Sequence, residues 1–204
     1  SERDEYYLGP LVKGDIITNN GYIIRQFSNT IYPRTDRTVV IKITTNNGVV
    51  GWGETYGAVA PKVISEFFKD IIVEFIRNKD ILNVEKIHDE LYQLMRVRGY
   101  WGGFWLDALA ALDIALWDIK GKIENKSVAK LFSKNPLTKI EAYISGLPGT
   151  KQSERLNLAS KWKNLGFNKF KIKLESLVKS PNSLKTIKKE YFRLRNVLGY
   201  KSEI

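Results

Sequence analysis

Residues 169–174 read Lys-Phe-Lys-Ile-Lys-Leu. Successive side chains of an extended strand point to opposite faces, so Lys169, Lys171 and Lys173 fall on one side and Phe170, Ile172 and Leu174 on the other. Residues two apart along a strand stand about 7 Å from each other. Two ammonium groups at that distance disfavour each other's charge, and partial burial adds to the effect. One of Lys171 and Lys173 can then titrate low enough to serve as a general base. That chemistry requires the end of the strand to border a binding mouth. A solvent-facing edge strand, with lysines guarding against aggregation, has the same pattern, and spacing alone does not separate the two readings.

The elements around this strand are compatible with such a mouth. After Asn135-Pro136 the pattern is a strand (139–145), a Gly/Pro loop (146–150), a helix (154–165), the lysine strand (168–174), a Ser/Pro loop and a helix (184–198). Such β-α-β-α spacing builds parallel sheets, buried on both faces or closed into barrels, and barrel active sites lie at the C-terminal ends of the strands. Lys171 and Lys173 are nearest that end. A third strand is expected to begin at 201–204.

The first half reads differently. Thr38 to Ile43 and Val49 to Trp52 flank Asn46-Asn47-Gly48, which predicts a β-hairpin. Residues 15–27 are strand-prone in part but contain Asn19-Asn20-Gly21, so a flexible loop is expected between about Asn19 and Arg34. From Lys62, with Pro61 suited to a helix start, Val63, Ile64, Phe67, Phe68, Ile71, Ile72, Phe75 and Ile76 recur at helical spacing. A second helix, capped by Asn83, carries Ile87, Leu91, Leu94 and Met95, with His88 at the edge of the stripe. Residues 104–120 predict a helix buried on most sides and stopped by Gly121. On it Asp107 and Asp118 share a face, and Asp113 is expected to be buried and to need a partner.

Composition narrows the classes. The 204 residues are 43% hydrophobic and 27% charged, with no Cys and one His. Disulfides, thiolate metal sites and any mechanism needing two imidazoles are excluded, and the absence of Cys and of an export signal points to the cytoplasm. No stretch predicts a membrane span. The net charge of +11 lies wholly in the second half, where residues 101–204 carry 20 basic and 9 acidic groups against 13 and 13 before them. The lysines at 120, 122, 126, 130, 134 and 139 are spread singly. A solvated face is the better reading than a nucleic-acid stripe.

Three motifs in order, Thr38 through Gly-Trp-Gly-Glu54, Ala108 through Lys122, and Phe170-Lys-Ile-Lys-Leu174, resemble the mandelate racemase and muconate lactonizing enzyme group of the enolase superfamily. The resemblance implies an α+β capping domain over residues 1–137 and the first two βα units of a TIM-like α/β barrel over 138–204. It implies chemistry in which a divalent metal, normally magnesium, binds a substrate carboxylate, a base removes the α-proton, and the metal holds the enediolate. Lys171-Ile172-Lys173 matches the group's Lys-x-Lys motif, which makes Lys173 the base and Lys171 the group that stabilises the substrate carboxylate. Residues 19–34 and 54–61 match its two capping loops, with Tyr22 and Tyr56 as candidate substrate contacts or simply surface aromatics. Tyr143 and Ser145, near the end of the first barrel strand, are further candidates.

The group's metal carboxylates come from the third, fourth and fifth barrel strands, so no metal ligand is assigned in this chain and none is expected to bind it alone. The favoured activity is acid-sugar dehydration, ahead of racemisation or cycloisomerisation. The expected partners are a carboxylate small molecule and either a second copy or a complementary C-terminal segment, with no nucleic acid and no membrane. The rival readings are a non-catalytic fragment or subunit completed by a partner chain, and a basic nucleic-acid binder.

Overall fold

The computed structural model describes residues 11, 13–26, 29–148, 151–172 and 183–204. They divide into two units, one running from residue 13 to Pro136 and one made of Leu137–Ile204 together with Leu11.

In the first unit, β4 (Thr38–Thr44) and β5 (Val50–Tyr56) pair antiparallel from Thr38↔Tyr56 to Thr44↔Val50. The predicted hairpin forms. Gly48 takes φ +83 in its turn, and the Thr45 hydroxyl accepts from the Val49 N–H at 2.9 Å. The region expected to be a flexible loop is instead largely sheet. β1 (Ile16–Ile17), β2 (Tyr22–Arg25) and β3 (Thr30–Pro33) form an antiparallel meander, with Ile24 opposite Ile31. Asn19-Asn20-Gly21 is the turn between β1 and β2, where Gly21 supplies φ +75, and the apolar, β-prone residues on either side make the ladder. A buried ion pair, Asp15 with Arg25, fastens this sheet.

Three consecutive helical pieces follow: α1 (Pro61–Phe67), a π-turn (Phe68–Ile72) and α2 (Val73–Ile76). Ile64 and Ile72 are fully buried, whereas Val63 is exposed and leaves the predicted stripe. α3 (Val84–Arg96) buries Val84, Ile87 and Leu91. Its N-cap Asn83 makes no side-chain capping bond, and Leu94 is exposed.

α4 (Gly103–Ile123) is the spine of the unit. Trp105, Ala108, Leu109, Ala111, Leu112, Ala115, Leu116 and Ile119 on it are all buried. It runs through Gly121 instead of stopping there. Gly121 is needed for a close approach, because a Cβ on it would stand 2.8 Å from the Lys126 carbonyl. The same device brings β5 onto α4: a Cβ on Gly53 would lie 1.9 Å from the Ala111 carbonyl oxygen, and one on Gly51 2.3 Å from that of Ala115. Asp118 completes the junction, accepting from the Trp52 N–H at 2.9 Å and from Lys122 Nζ at 2.7 Å. Asp113 is half-buried, 3.7 Å from His88 Nδ1 on α3. α5 (Val128–Phe132) lays Phe132 against Trp117.

In the second unit, β6 (Ile144–Ser145) and β7 (Phe170–Lys171) pair in parallel, with α6 (Gln152–Asn164) between them and α7 (Ser183–Leu198) after them. β6 is shorter than predicted, and the predicted end of the lysine strand, 173–174, lies outside the described residues. Leu147, Ala159, Phe170, Leu194 and Leu198 form the core, with Ile144 and Trp162 packed on it. Glu190, almost fully buried, accepts from Arg155 Nε at 2.8 Å and from Gln152 Nε2, tying α7 to α6. No helix among the described residues is long and apolar enough to cross a membrane.

Candidate active site

Ser145 closes β6, Lys171 closes β7, and the two are register partners across the parallel pair. The rungs beside them run from the Ile144 N–H to the Lys169 carbonyl at 2.9 Å and from the Gly146 N–H to the Lys171 carbonyl at 2.8 Å. Ile144 and Phe170, one residue earlier on each strand, pack with Leu156, Ala159, Leu194 and Leu198 of the helices. Strand alternation therefore turns Ser145 and Lys171 to the face away from the helices, where both are exposed. In a barrel that face is the interior. Tyr143, two residues before Ser145, is also exposed. Lys173 lies outside the described residues.

Lys169 has a different setting from Lys171. Its Nζ stands 2.9 Å from Glu141 Oε2 and 3.2 Å from Glu203 Oε1. Hydrogen bonds to Glu141 first, then to Glu203, push it above the ordinary lysine value, so it stays a cation at neutral pH and cannot be a base. The lysine-bearing side of the strand is thus not cationic throughout. Among the described residues it begins in a carboxylate-lysine-carboxylate triplet and carries Lys171 at the end of β7. Glu203 reaches this position because it bridges in parallel to Lys169, with the Phe170 N–H donating to the Glu203 carbonyl at 2.9 Å. This single parallel bridge falls within 201–204, the stretch where a third strand is expected to begin. Glu141 was legible by alternation from Ser145, two steps back; Glu203 needed the parallel register to Lys169 that only the fold supplies.

Tyr22 and Tyr56 belong to the first unit. Tyr56 ends β5 opposite Thr38 and is exposed. The Tyr22 hydroxyl accepts from the Ala60 N–H at 3.0 Å, and Arg37 stacks 4.4 Å above its ring. Sequence reasoning missed Arg37, since nothing in its neighbourhood marks it until the fold brings it over Tyr22.

Magnesium takes several converging oxygens. Among the described residues no three His, Asp or Glu side chains converge in that way. Glu141 and Glu203 are already drawn to Lys169, so the described donors do not fit this ion.

The family model for the mandelate racemase / muconate lactonizing enzyme N-terminal domain matches residues 27–133. The chain belongs to this family. A D-galactonate dehydratase from Cronobacter sakazakii is 31% identical over 145 residues, which are 70% of this chain and 36% of that protein. A member of the enolase superfamily from Agrobacterium tumefaciens is 43% identical, with a TM-score of 0.87 over 96% of this chain and 49% of its own. A racemase from Streptomyces coelicolor with bound magnesium is 25% identical, with a TM-score of 0.68 over 79% of this chain and 47% of its own. The chain thus spans about a third to a half of the length of these relatives. Within the family, the first unit carries the N-terminal domain match and the second unit begins the α/β part.

Proposed function

We propose that this chain forms the cap (residues 1–137) and opening strands (138–204) of a magnesium-dependent enzyme that removes the α-proton of a carboxylate substrate, with acid-sugar dehydration as the favoured outcome. The observation that carries the reading is the Ser145 and Lys171 pair at the ends of parallel strands, on the face the helices leave free. The family's dehydratase and racemase relatives support the reaction class. The magnesium would have to be held by oxygens other than those described.

The steps assigned to this chain are its own. Lys173, as the neutral amine, takes the proton from the carbon next to the carboxylate. Lys171, as an ammonium, meets the carboxylate oxygen, so the charge that grows there on proton removal is opposed by a fixed cation. Ser145 offers a hydroxyl beside it, and Tyr143 an aromatic wall. Tyr22, at the start of β2, and Tyr56, at the end of β5, are the candidate substrate contacts of the first unit. Lys169, clamped by two carboxylates, holds the start of the strand in register.

The test is solvent deuterium incorporation at the α-carbon of acid sugars by the enzyme containing this chain. Lys173→Met should reduce exchange by about 10²- to 10⁴-fold, the usual worth of a general base, while substrate binding weakens little. Undiminished exchange in that variant rejects Lys173 as the base. A subunit completed by a partner chain is the second reading, favoured by the absence of converging metal donors among the described residues.

A further inference from the structure

Tyr22 stands at the start of β2, directly after the Asn19-Asn20-Gly21 turn, and its hydroxyl reaches a residue 38 positions away. That residue, Ala60, is the N-cap of α1 and has φ +47 and ψ +54, the left-handed region that an alanine rarely occupies. Such a conformation persists only where its surroundings hold it. Two contacts on Ala60 do so: its N–H donates to Tyr22 Oη at 3.0 Å, and its carbonyl accepts from the Val63 N–H at 3.0 Å. The Tyr22 ring is held from the other side. Arg37 stacks on it at 4.4 Å and donates from the same guanidinium to the Asn20 carbonyl at 2.6 Å. The Gly21 carbonyl accepts from the Arg34 N–H at 2.9 Å, closing the turn on the far end of β3.

From this geometry we infer that Tyr22 is a positioning residue that clasps two loops together, so that the 19–21 turn and the 57–60 loop move as one body. The inference does not depend on the reaction proposed above, since every contact of the clasp lies within the first unit. A substrate-facing role for the tyrosine stays compatible with it, since an oxygen that accepts from Ala60 still carries a proton to donate. The left-handed Ala60 is the strained point of the 57–60 loop, and the hydroxyl is what reaches it from the other loop.

The experiment is amide hydrogen exchange and NMR relaxation dispersion on the chain as it stands, without substrate. In the wild type, residues 19–21 and 58–60 should share one exchange rate constant. Tyr22→Phe should raise the Ala60 amide exchange about fivefold, in line with the loss of one net hydrogen bond, and should split the shared rate into two. Ala60→Gly keeps the N–H and relaxes the backbone, so the shared rate should survive in it. A purely structural tyrosine would change stability without splitting the rates. Distinct rates for the two loops in the wild type, or an Ala60 amide indifferent to Tyr22→Phe, would overturn the inference. If Tyr22→Phe does not fold, the wild-type comparison decides alone. Because no substrate is used, the clasp can fail while proton abstraction stands, and the reverse.

Discussion

Ser145 and Lys171 occupy one rung of a parallel ladder, with both side chains on the side that Phe170 and Ile144 turn away from. A hydroxyl and an ammonium placed this way can share one carboxylate. In the enzyme containing this chain, Lys171→Met should therefore raise KM and lower kcat together. Ser145→Ala should raise KM by less than about tenfold with kcat nearly kept, as for loss of one neutral hydrogen bond. Steady-state kinetics with deuterium exchange as readout separates the two, and equal effects would mean that Ser145 does more than bind.

Gly53 has no room for a methyl group. Gly53→Ala should cost about 3 kcal/mol or more, the upper end of overpacking effects, because backbone and not a flexible side chain must yield. Gly48→Ala meets open space and strains only φ, so it should cost about 1 kcal/mol. Urea denaturation of both variants checks the order.

Glu190 should make the second unit sensitive to acid. Burial alone would raise the Glu190 carboxyl, but the hydrogen bonds from Arg155 and Gln152 outweigh it and hold the group below the usual carboxylate range. The stability it gives is present above the unfolded value of about 4.3 and is lost as pH falls through the lower folded value. In the first unit the shifts oppose one another: Asp107 and Asp113 are raised chiefly by burial and bind protons more tightly when folded, whereas Asp118 is held low against burial by its hydrogen bonds from Lys122 and the Trp52 N–H. Amide exchange at Leu194 should accelerate as pH falls below about 4.3, more than at Leu112. Glu190→Gln should flatten the Leu194 profile.

Hydrogen exchange at neutral pH should show earlier loss of protection beyond residue 139 than before it. The first unit buries a continuous cluster from Val39 to Trp117 around α4, whereas the second packs two helices on two short strands. Two strands alone are marginal in water. Uniform protection would mean that another chain covers the second unit.

The hairpin, the buried helix and the β-α-β-α order were legible because each rests on a local period or a turn dipeptide. Gly48, Ile87 and Phe170 announce themselves within a few residues. The loop expected at 19–34 was misread because Asn and Gly mark a turn as readily as a loop, and only pairing of Ile24 with Ile31 distinguishes the two. Gly121 was misread as a stop because its reason, the carbonyl of Lys126, comes from a chain reversal beyond the helix. At the site, alternation fixed the face of Lys171, but the carboxylates that claim Lys169 arrive from two other segments, one just before β6 and one after α7.

The triplet of Glu141, Lys169 and Glu203 also gives the sheet an electrical direction. Its strands start at a cluster with one more negative than positive charge and finish at Lys171, so the helix-free face is polarised along its length. An anion drifting onto that surface is repelled at one end and drawn to the other, which orients it before any specific contact forms. Such guidance fades as added salt shortens the screening length.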